Sequence, residues 1–253
     1  MFYFGTNTKQ QLSLELHEEV VEIATLLAKT QKDTQFFVLP TMPLLAPMKK
    51  MSFGSGLWVG PQRVSGNDDN ITGEISAKVI REIDADLAMV GHAERRGLGE
   101  KDKEIKSQLK SLQDNELMAI YCIGEKTIEK NVENRKEVFL KQLKVLKDLN
   151  IKKALIAYEP VWSIGENGTP AESSYVEKSF LAIKSVLKDL ELNVKNFPLL
   201  YGGSVNLQNA KELGALASCD GLFVGRSAWS KDGFRNVYEK ALSGHNTKKN
   251  KTA

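Results

Sequence analysis

The chain has 253 residues, 42% of them hydrophobic and 26% charged, with a formal net charge of +3. That length suits one α/β barrel of ~200–250 residues with a large core, and no run approaches the ~18 apolar residues of a membrane span. Lys and Arg are interleaved with Asp and Glu along the whole chain, without a basic stripe carrying aromatics, which argues against a nucleic-acid groove. The start, Met1-Phe2-Tyr3-Phe4-Gly5, has no basic region followed by an apolar stretch and a cleavage site, so the expectation is a cytoplasmic protein without a secretory signal. Cys122 and Cys219 have no metal-ligand spacing and fall in or beside apolar runs, which reads as two buried, reduced thiols.

An apolar run at 2–6 leads to Asn7 and Lys9, then to a helical stripe in which Leu16, Val20, Ile23 and Leu27 recur at steps of four, three and four. Strand-like runs follow at 34–39, 57–60, 87–90 and 118–122. A second stripe, Phe139, Leu143, Leu146 and Leu149, precedes a run at 154–158. The third, Val176, Phe180, Ile183, Leu187 and Leu190, precedes runs at 199–201 and 221–224. Most runs are apolar throughout instead of alternating, the pattern of parallel strands covered on both faces. Each stripe has Lys and Glu on its other faces, so each helix packs on one side only. Eight strand-like runs alternating with helical patterns predict a single (β/α)8 barrel over 1–243; an open doubly wound sheet fits the count less well. The polar, Lys-rich segment 244–253 reads as a frayed tail.

In a barrel the functional residues sit just after each strand, at the C-terminal rim, and the unusual residues of this chain gather there. Glu159 ends an apolar strand and precedes Pro160, so its carboxylate is held by rigid backbone and partly desolvated, as a general base requires. His92 is the one histidine at a strand end; His17 falls on the charged side of the first helix and His245 in the tail. A helix starting after His92 disfavours an imidazolium and leaves a neutral ring able to donate to a carbonyl oxygen. Lys9, beside Asn7, can offset a phosphate and the charge of an enediolate. Gly202-Gly203-Ser204 and Gly225-Arg226-Ser227 follow the last two strands, the usual place for a phosphate held by backbone N–H groups. The string Gly165-Glu166-Asn167-Gly168-Thr169-Pro170 is polar and long enough for a lid that excludes water. Against these stand plain structural readings: an ion-paired strand-end Glu, a turn-holding His, a surface Lys, an ordinary solvent loop.

Together these segments resemble the triosephosphate isomerase family. The resemblance is carried by Asn7-Thr8-Lys9, Thr72-Gly73-Glu74, Gly91-His92-Ala93-Glu94-Arg95-Arg96, Cys122-Ile123-Gly124-Glu125, Tyr158-Glu159-Pro160-Val161-Trp162, Tyr201-Gly202-Gly203-Ser204 and Asp220-Gly221-Leu222-Phe223-Val224-Gly225, in the family's order over nearly the whole chain. It implies interconversion of dihydroxyacetone phosphate and glyceraldehyde 3-phosphate through an enediolate, with no metal or organic cofactor. Glu159 would shuttle the proton and His92 would polarise the carbonyl, a pairing long established for triosephosphate isomerase itself, so it comes with the resemblance and not from spacing. Lys9 and Asn7 would hold substrate charge, and Glu94 would order the site. Gly165, Ser204, Gly225 and Arg226 would bind the phosphate. Trp162, Glu166 and Gly168 would belong to the lid. The resemblance also implies a homodimer, in which a loop at 62–74 brings Thr72 to the neighbour's Asn7 and Lys9.

Several positions depart from the family pattern. Thr8 stands where Trp is usual, Gln10 and Gln11 where Met-Asn is, Arg63 where Asn is, Ile71 in place of an aromatic, and Arg226 in place of a glycine, with Trp229 soon after. The changes cluster around the lid and the phosphate pocket. The altered lid and the Gly225-Arg226-Ser227-Ala228-Trp229 string look more like relatives that isomerise four-carbon ketose phosphates such as erythrulose phosphates. The triose reading stands first on the number of matched motifs, with the four-carbon ketose phosphate as its alternative. A Schiff-base aldolase and a non-catalytic sugar-phosphate-binding barrel are the rivals from other classes.

Overall fold

The computed structural model describes all of the chain except residues 11, 67–70, 166–167 and 253, with backbone alone at 249–252. Eight strands run β1 (Phe2–Asn7), β2 (Thr34–Leu39), β3 (Trp58–Val59), β4 (Leu87–Val90), β5 (Met118–Ile123), β6 (Leu155–Tyr158), β7 (Leu199–Tyr201) and β8 (Gly221–Val224). Between and after them lie α1 (Leu14–Thr30), α2 (Leu45–Met51), α3 (Ala77–Glu82), α4 (Ala93–Gly97), α5 (Asp102–Asp114), α6 (Val132–Asp148), α7 (Ser173–Asp189), α8 (Ala210–Gly214) and α9 (Lys231–Thr252). The strands form one sheet in the order β3-β2-β1-β8-β7-β6-β5-β4, every registered pair parallel. Backbone bonds from the Asp86 N–H to the Val59 carbonyl and from the Met89 N–H to the Pro61 carbonyl, at 3.0 and 3.1 Å, close the ring between β3 and β4. The closed (β/α)8 barrel of the sequence reading is therefore the fold, and the strands at 34–39, 87–90, 199–201 and 221–224 fall where the apolar runs place them.

Alternate residues of each strand face opposite ways. Phe37, Leu87, Met89, Ile120, Leu155 and Leu200 fill the barrel interior, while Phe36, Val38, Ile156 and Tyr158 point out into the layer under the helices. Both layers are apolar, which explains why the runs do not alternate. Gly60 is required at the closing seam: a Cβ there would lie 1.8 Å from the Leu87 carbonyl oxygen. On the outer face Phe4, Phe36, Phe234 and Tyr238 meet with centroids 4.7–6.4 Å apart, fastening α9 across β1 and β2. Each such ring contributes about 1.5–3 kcal/mol by leaving water.

Two expectations are corrected. The segment after 243 is not a frayed tail, because α9 runs without a break to Thr252. Phe234, Val237, Tyr238, Ala241 and His245 are buried at steps of three, one, three and four, the rhythm of a one-sided helix, though most residues between them are polar. His245 lies 4.7 Å, ring to ring, from Phe2, and Lys248 Nζ donates to the Cys219 carbonyl at 3.0 Å. Nor does His17 sit on a charged face: it is fully buried, because the core-facing side of α1 is centred on His17, Val20, Val21, Ala24 and Leu27, a little round the helix from the Leu16 stripe. Both cysteines are free and buried. Among the described residues no helix is long and apolar enough to cross a membrane.

Candidate active site

β1 carries Asn7 to the rim, where its side-chain oxygen accepts the Lys9 N–H at 2.8 Å. An Asn bonding the N–H two residues on builds a turn, and it holds Lys9 at φ 53°, in the left-handed region. The Lys9 ammonium is thereby aimed across the barrel mouth, where it pairs with Glu94. The Trp229 indole N–H donates to the Asn7 carbonyl at 2.8 Å, tying the turn after β8 to the end of β1.

After β4, Gly91 at φ 73° turns the chain so that His92 becomes the N-cap of α4. Its Nδ1 accepts the Glu94 N–H at 3.2 Å. A ring nitrogen that accepts carries no proton, so the hydrogen bond assigns the proton of the neutral ring to Nε2. Nε2 lies 3.6 Å from Glu159 Oε1. Glu159, the residue immediately after β6, is itself buried, and its Oε2 accepts the Ala93 N–H at 3.2 Å. Gly202, after β7, leaves room for it: a Cβ at that position would approach Glu159 Cγ to 3.0 Å. Under the carboxylate, burial and then the neighbouring charge of Glu159 push the Cys122 thiol well above its ordinary range, so the thiol is an inert neighbour.

These groups line one cavity of about 350 Å³. Asn7, Lys9, His92 and Glu159 line it together with Gly165, Ser204, Gly225 and Arg226. A second opening of about 730 Å³ shares Asn7, Lys9, His92, Gly165 and Arg226 and widens toward Gln62, Leu98 and Trp229. Glu94 lines this outer opening and not the inner cavity. A cavity of about 740 Å³ beside Trp58, Ala85 and Met118, at the strands' N-terminal ends, contains none of these groups.

The segment after Glu159 is anchored by a buried carboxylate that the sequence reading placed in a motif but gave no role. Glu125 accepts from the Tyr158 hydroxyl at 2.9 Å, the Trp162 indole at 3.0 Å and the Tyr175 hydroxyl at 2.9 Å. Three donors around one buried acid fix Trp162 at the root of the expected lid. Gly165 adopts φ 91°, and Gly168 packs so that a Cβ would lie 2.5 Å from the Ser163 carbonyl oxygen. Glu166 lies outside the described residues. Thr72 is exposed and lines neither opening of the site. Two residues given no site role in the sequence analysis support the turn at Lys9: Gln62 donates to the Lys9 carbonyl, and His17, expected on a charged face, bonds the Thr8 side chain. The signal for His17 was its spacing of three, four and seven from Val20, Val21 and Ala24, which puts it on the apolar face.

A parallel barrel whose C-terminal rim sets a carboxylate, an imidazole and an ammonium against glycine-bearing turns defines the class of sugar-phosphate isomerases on the (β/α)8 fold. The chain belongs to the triosephosphate isomerase family, whose family model matches residues 2–241. It is 33% identical to an L-erythrulose-1-phosphate isomerase of Brucella abortus biovar 1 (strain 9-941), covering 96% of this chain and 97% of that protein. It is also 33% identical to an L-erythrulose-1-phosphate isomerase of Mesorhizobium japonicum, over 95% and 97% of the two chains. A probable triosephosphate isomerase 2 of Listeria monocytogenes serotype 4b (strain F2365) is 30% identical over 91% of each.

Proposed function

We propose that this protein isomerises a four-carbon ketose phosphate of the L-erythrulose 1-phosphate type through an enediolate, without a cofactor. The convergence of Glu159, His92 and Lys9 on one cavity walled by Ser204, Gly225 and Arg226 carries the reaction type. The names of the relatives in Brucella and Mesorhizobium support the four-carbon substrate over the triose that the matched motifs put first.

The chemistry follows from the groups present. With the phosphate ester on C1 and the carbonyl at C2, the removable proton is on C3. Glu159 takes that proton as its carboxylate becomes a carboxylic acid. His92 Nε2–H donates to the C2 carbonyl oxygen, and the Lys9 ammonium offsets the negative charge that develops there. The enediolate then spans C2 and C3. Return of the proton from Glu159 to C2, with the C3 hydroxyl proton passing to the C2 oxygen, yields the ketose with its carbonyl at C3 and regenerates the Glu159 carboxylate, so the phosphate is numbered on C4. The same cycle on dihydroxyacetone phosphate ends in an aldehyde, because the reacting carbon there bears no further carbon. The extra hydroxymethyl group would extend away from the phosphate turns, and the wider outer opening beside Gln62, Leu98 and Trp229 offers it space.

The second reading, a triosephosphate isomerase, is favoured by the Listeria relative. Measuring kcat/KM for L-erythrulose 1-phosphate and dihydroxyacetone phosphate side by side separates the two. Dominant turnover of the triose would overturn the four-carbon assignment, and turnover of neither would overturn the isomerase. The active unit is taken as a cytoplasmic homodimer in which the exposed Thr72 reaches Asn7 and Lys9 of a second copy. A fully active species of monomeric mass in solution would exclude that.

A further inference from the structure

Lys9 is a side-chain-bearing residue in the left-handed backbone region, at φ 53°. Such a conformation persists only where its surroundings impose it. Both peptide groups of Lys9 are held by side chains. Its N–H donates to Asn7 Oδ1 at 2.8 Å, and its carbonyl accepts from Gln62 Nε2 at 2.9 Å. The same Gln62 amide lies 3.3 Å from Thr8 Oγ1 and 3.1 Å from the Leu39 carbonyl.

Beneath Lys9, Thr8 and His17 are both fully buried, with Thr8 Oγ1 2.8 Å from His17 Nε2. His17 Nδ1 lies 2.8 Å from the Ser13 carbonyl oxygen, which can only accept. Nδ1 therefore holds the proton and Nε2 accepts, from the Thr8 hydroxyl and, at 3.3 Å, from the Thr41 N–H. The two N–H bonds of the Gln62 amide go first to the Lys9 and Leu39 carbonyls, with Thr8 Oγ1 a further contact at 3.3 Å. The Thr8 hydroxyl donates to His17 Nε2 at 2.8 Å, with the Leu39 carbonyl a weaker second acceptor at 3.3 Å, and His17 donates to the Ser13 carbonyl at the start of α1. One network joins the loops after β1, β2 and β3 under a single residue.

We infer that Thr8, His17 and Gln62 form a positioning device that locks the Lys9 backbone and so fixes where its ammonium meets the substrate. None of the three touches the reacting atoms in this assignment; they act through Lys9. The inference rests on the proposed isomerase only for what the ammonium does there, and not for how it is held.

The test is a double-mutant cycle. Thr8→Val removes the hydroxyl at nearly constant volume, and Thr8→Ser keeps it. With L-erythrulose 1-phosphate or dihydroxyacetone phosphate, whichever the parent protein turns over, Thr8→Val should lower kcat about 10- to 100-fold, the scale of an ångström-sized misplacement. Thr8→Ser should recover most of that loss. In a Lys9→Ala background, Thr8→Val should cost little more, because its effect is already removed. Equal losses in both backgrounds, or no loss in a folded Thr8→Val protein, would overturn the inference. If Thr8→Val does not fold, Gln62→Met takes its place in the same cycle with the same outcomes. Crystal structures of the parent and of the variant read the claim without turnover: Lys9 should leave the left-handed region, and an unmoved Lys9 would overturn it. A parent inactive on both ketose phosphates would sink the isomerase alone, and the crystal comparison would still decide the positioning.

Discussion

Among the described residues no Lys or Arg pairs with Glu159; its carboxylate meets the Ala93 N–H, the Nε2 edge of His92 and the Cys122 thiol. The ion-paired structural reading of this residue thus finds no support in its surroundings. Glu159→Gln keeps the shape and removes the base, so kcat should fall ~10²–10⁴-fold, the usual contribution of general acid–base catalysis, while inhibition by inorganic phosphate stays close to that of the parent. Near-normal turnover in that variant would end its role as base. Arg226 raises a different question, since it occupies a turn that in the triose enzymes is expected to be glycine. Restoring the common residue, Arg226→Gly together with the common lid sequence, should move the ratio of kcat/KM values toward dihydroxyacetone phosphate by ~10–200-fold, the discrimination that one carbon allows. A ratio that does not move would detach Arg226 from specificity.

The elements hold these side chains by close backbone contact. The turn after β5 passes directly behind the end of β6: a Cβ on Gly124 would lie 2.0 Å from the Glu159 carbonyl oxygen. Both peptide groups of Gly124 are also clasped by one side chain, Gln142 of α6, at 3.0 Å each. Gly124→Ala must therefore push the strand end that carries the base. We expect kcat to fall on the order of 10²-fold for a shift of about an ångström, with a lower Tm than the parent. Unchanged kinetics with an unchanged Tm would mean that this seam yields more easily than its geometry indicates.

At the scale of the whole molecule, α9 fastens the last βα unit to the first two strands. Ending the chain at residue 243 would remove the His245 ring from Phe2 and the Lys248 contact with the Cys219 carbonyl. Tm should drop by several degrees, each kcal/mol corresponding to ~2–4 °C for a chain of this size, and an unaltered melting curve would argue that the end of α9 adds nothing. The closed, doubly covered barrel also sets the response to alkali. Burial pushes the Cys219 thiol from 9.0 up to about 12, and the Tyr121 and Tyr201 phenols from 10.0 up to about 12. Above pH 9 the unfolded chain releases these protons while the folded chain keeps them, so the unfolded state binds fewer protons and stability declines as pH rises. Tm should fall progressively between about pH 9 and 12; a flat profile through that window would show that these groups are not sequestered.

The barrel was legible in the sequence because two apolar layers leave a direct mark: uninterrupted apolar runs for the strands and one-sided stripes for the helices. The rim residues were legible for a related reason, since topology alone puts whatever follows a strand at the barrel mouth. By itself the sequence therefore determined the strand-and-helix order, and it determined that Asn7, Lys9, His92, Glu159 and the two glycine turns share one end of the molecule. It misplaced the end of the chain and His17. In both, a few buried positions are scattered among charged ones, and which side of a helix is covered depends on neighbours distant in sequence, α8 and Phe2 for α9, and the turns after β1 and β2 for His17. Only the tertiary structure decided the 3.6 Å approach of His92 to Glu159, the backbone N–H that selects the His92 tautomer, and the convergence of Tyr158, Trp162 and Tyr175 on Glu125. Hydrogen bonds are directional and short-ranged, so they exist only once the packing has set the distances; apolar periodicity carries no record of them.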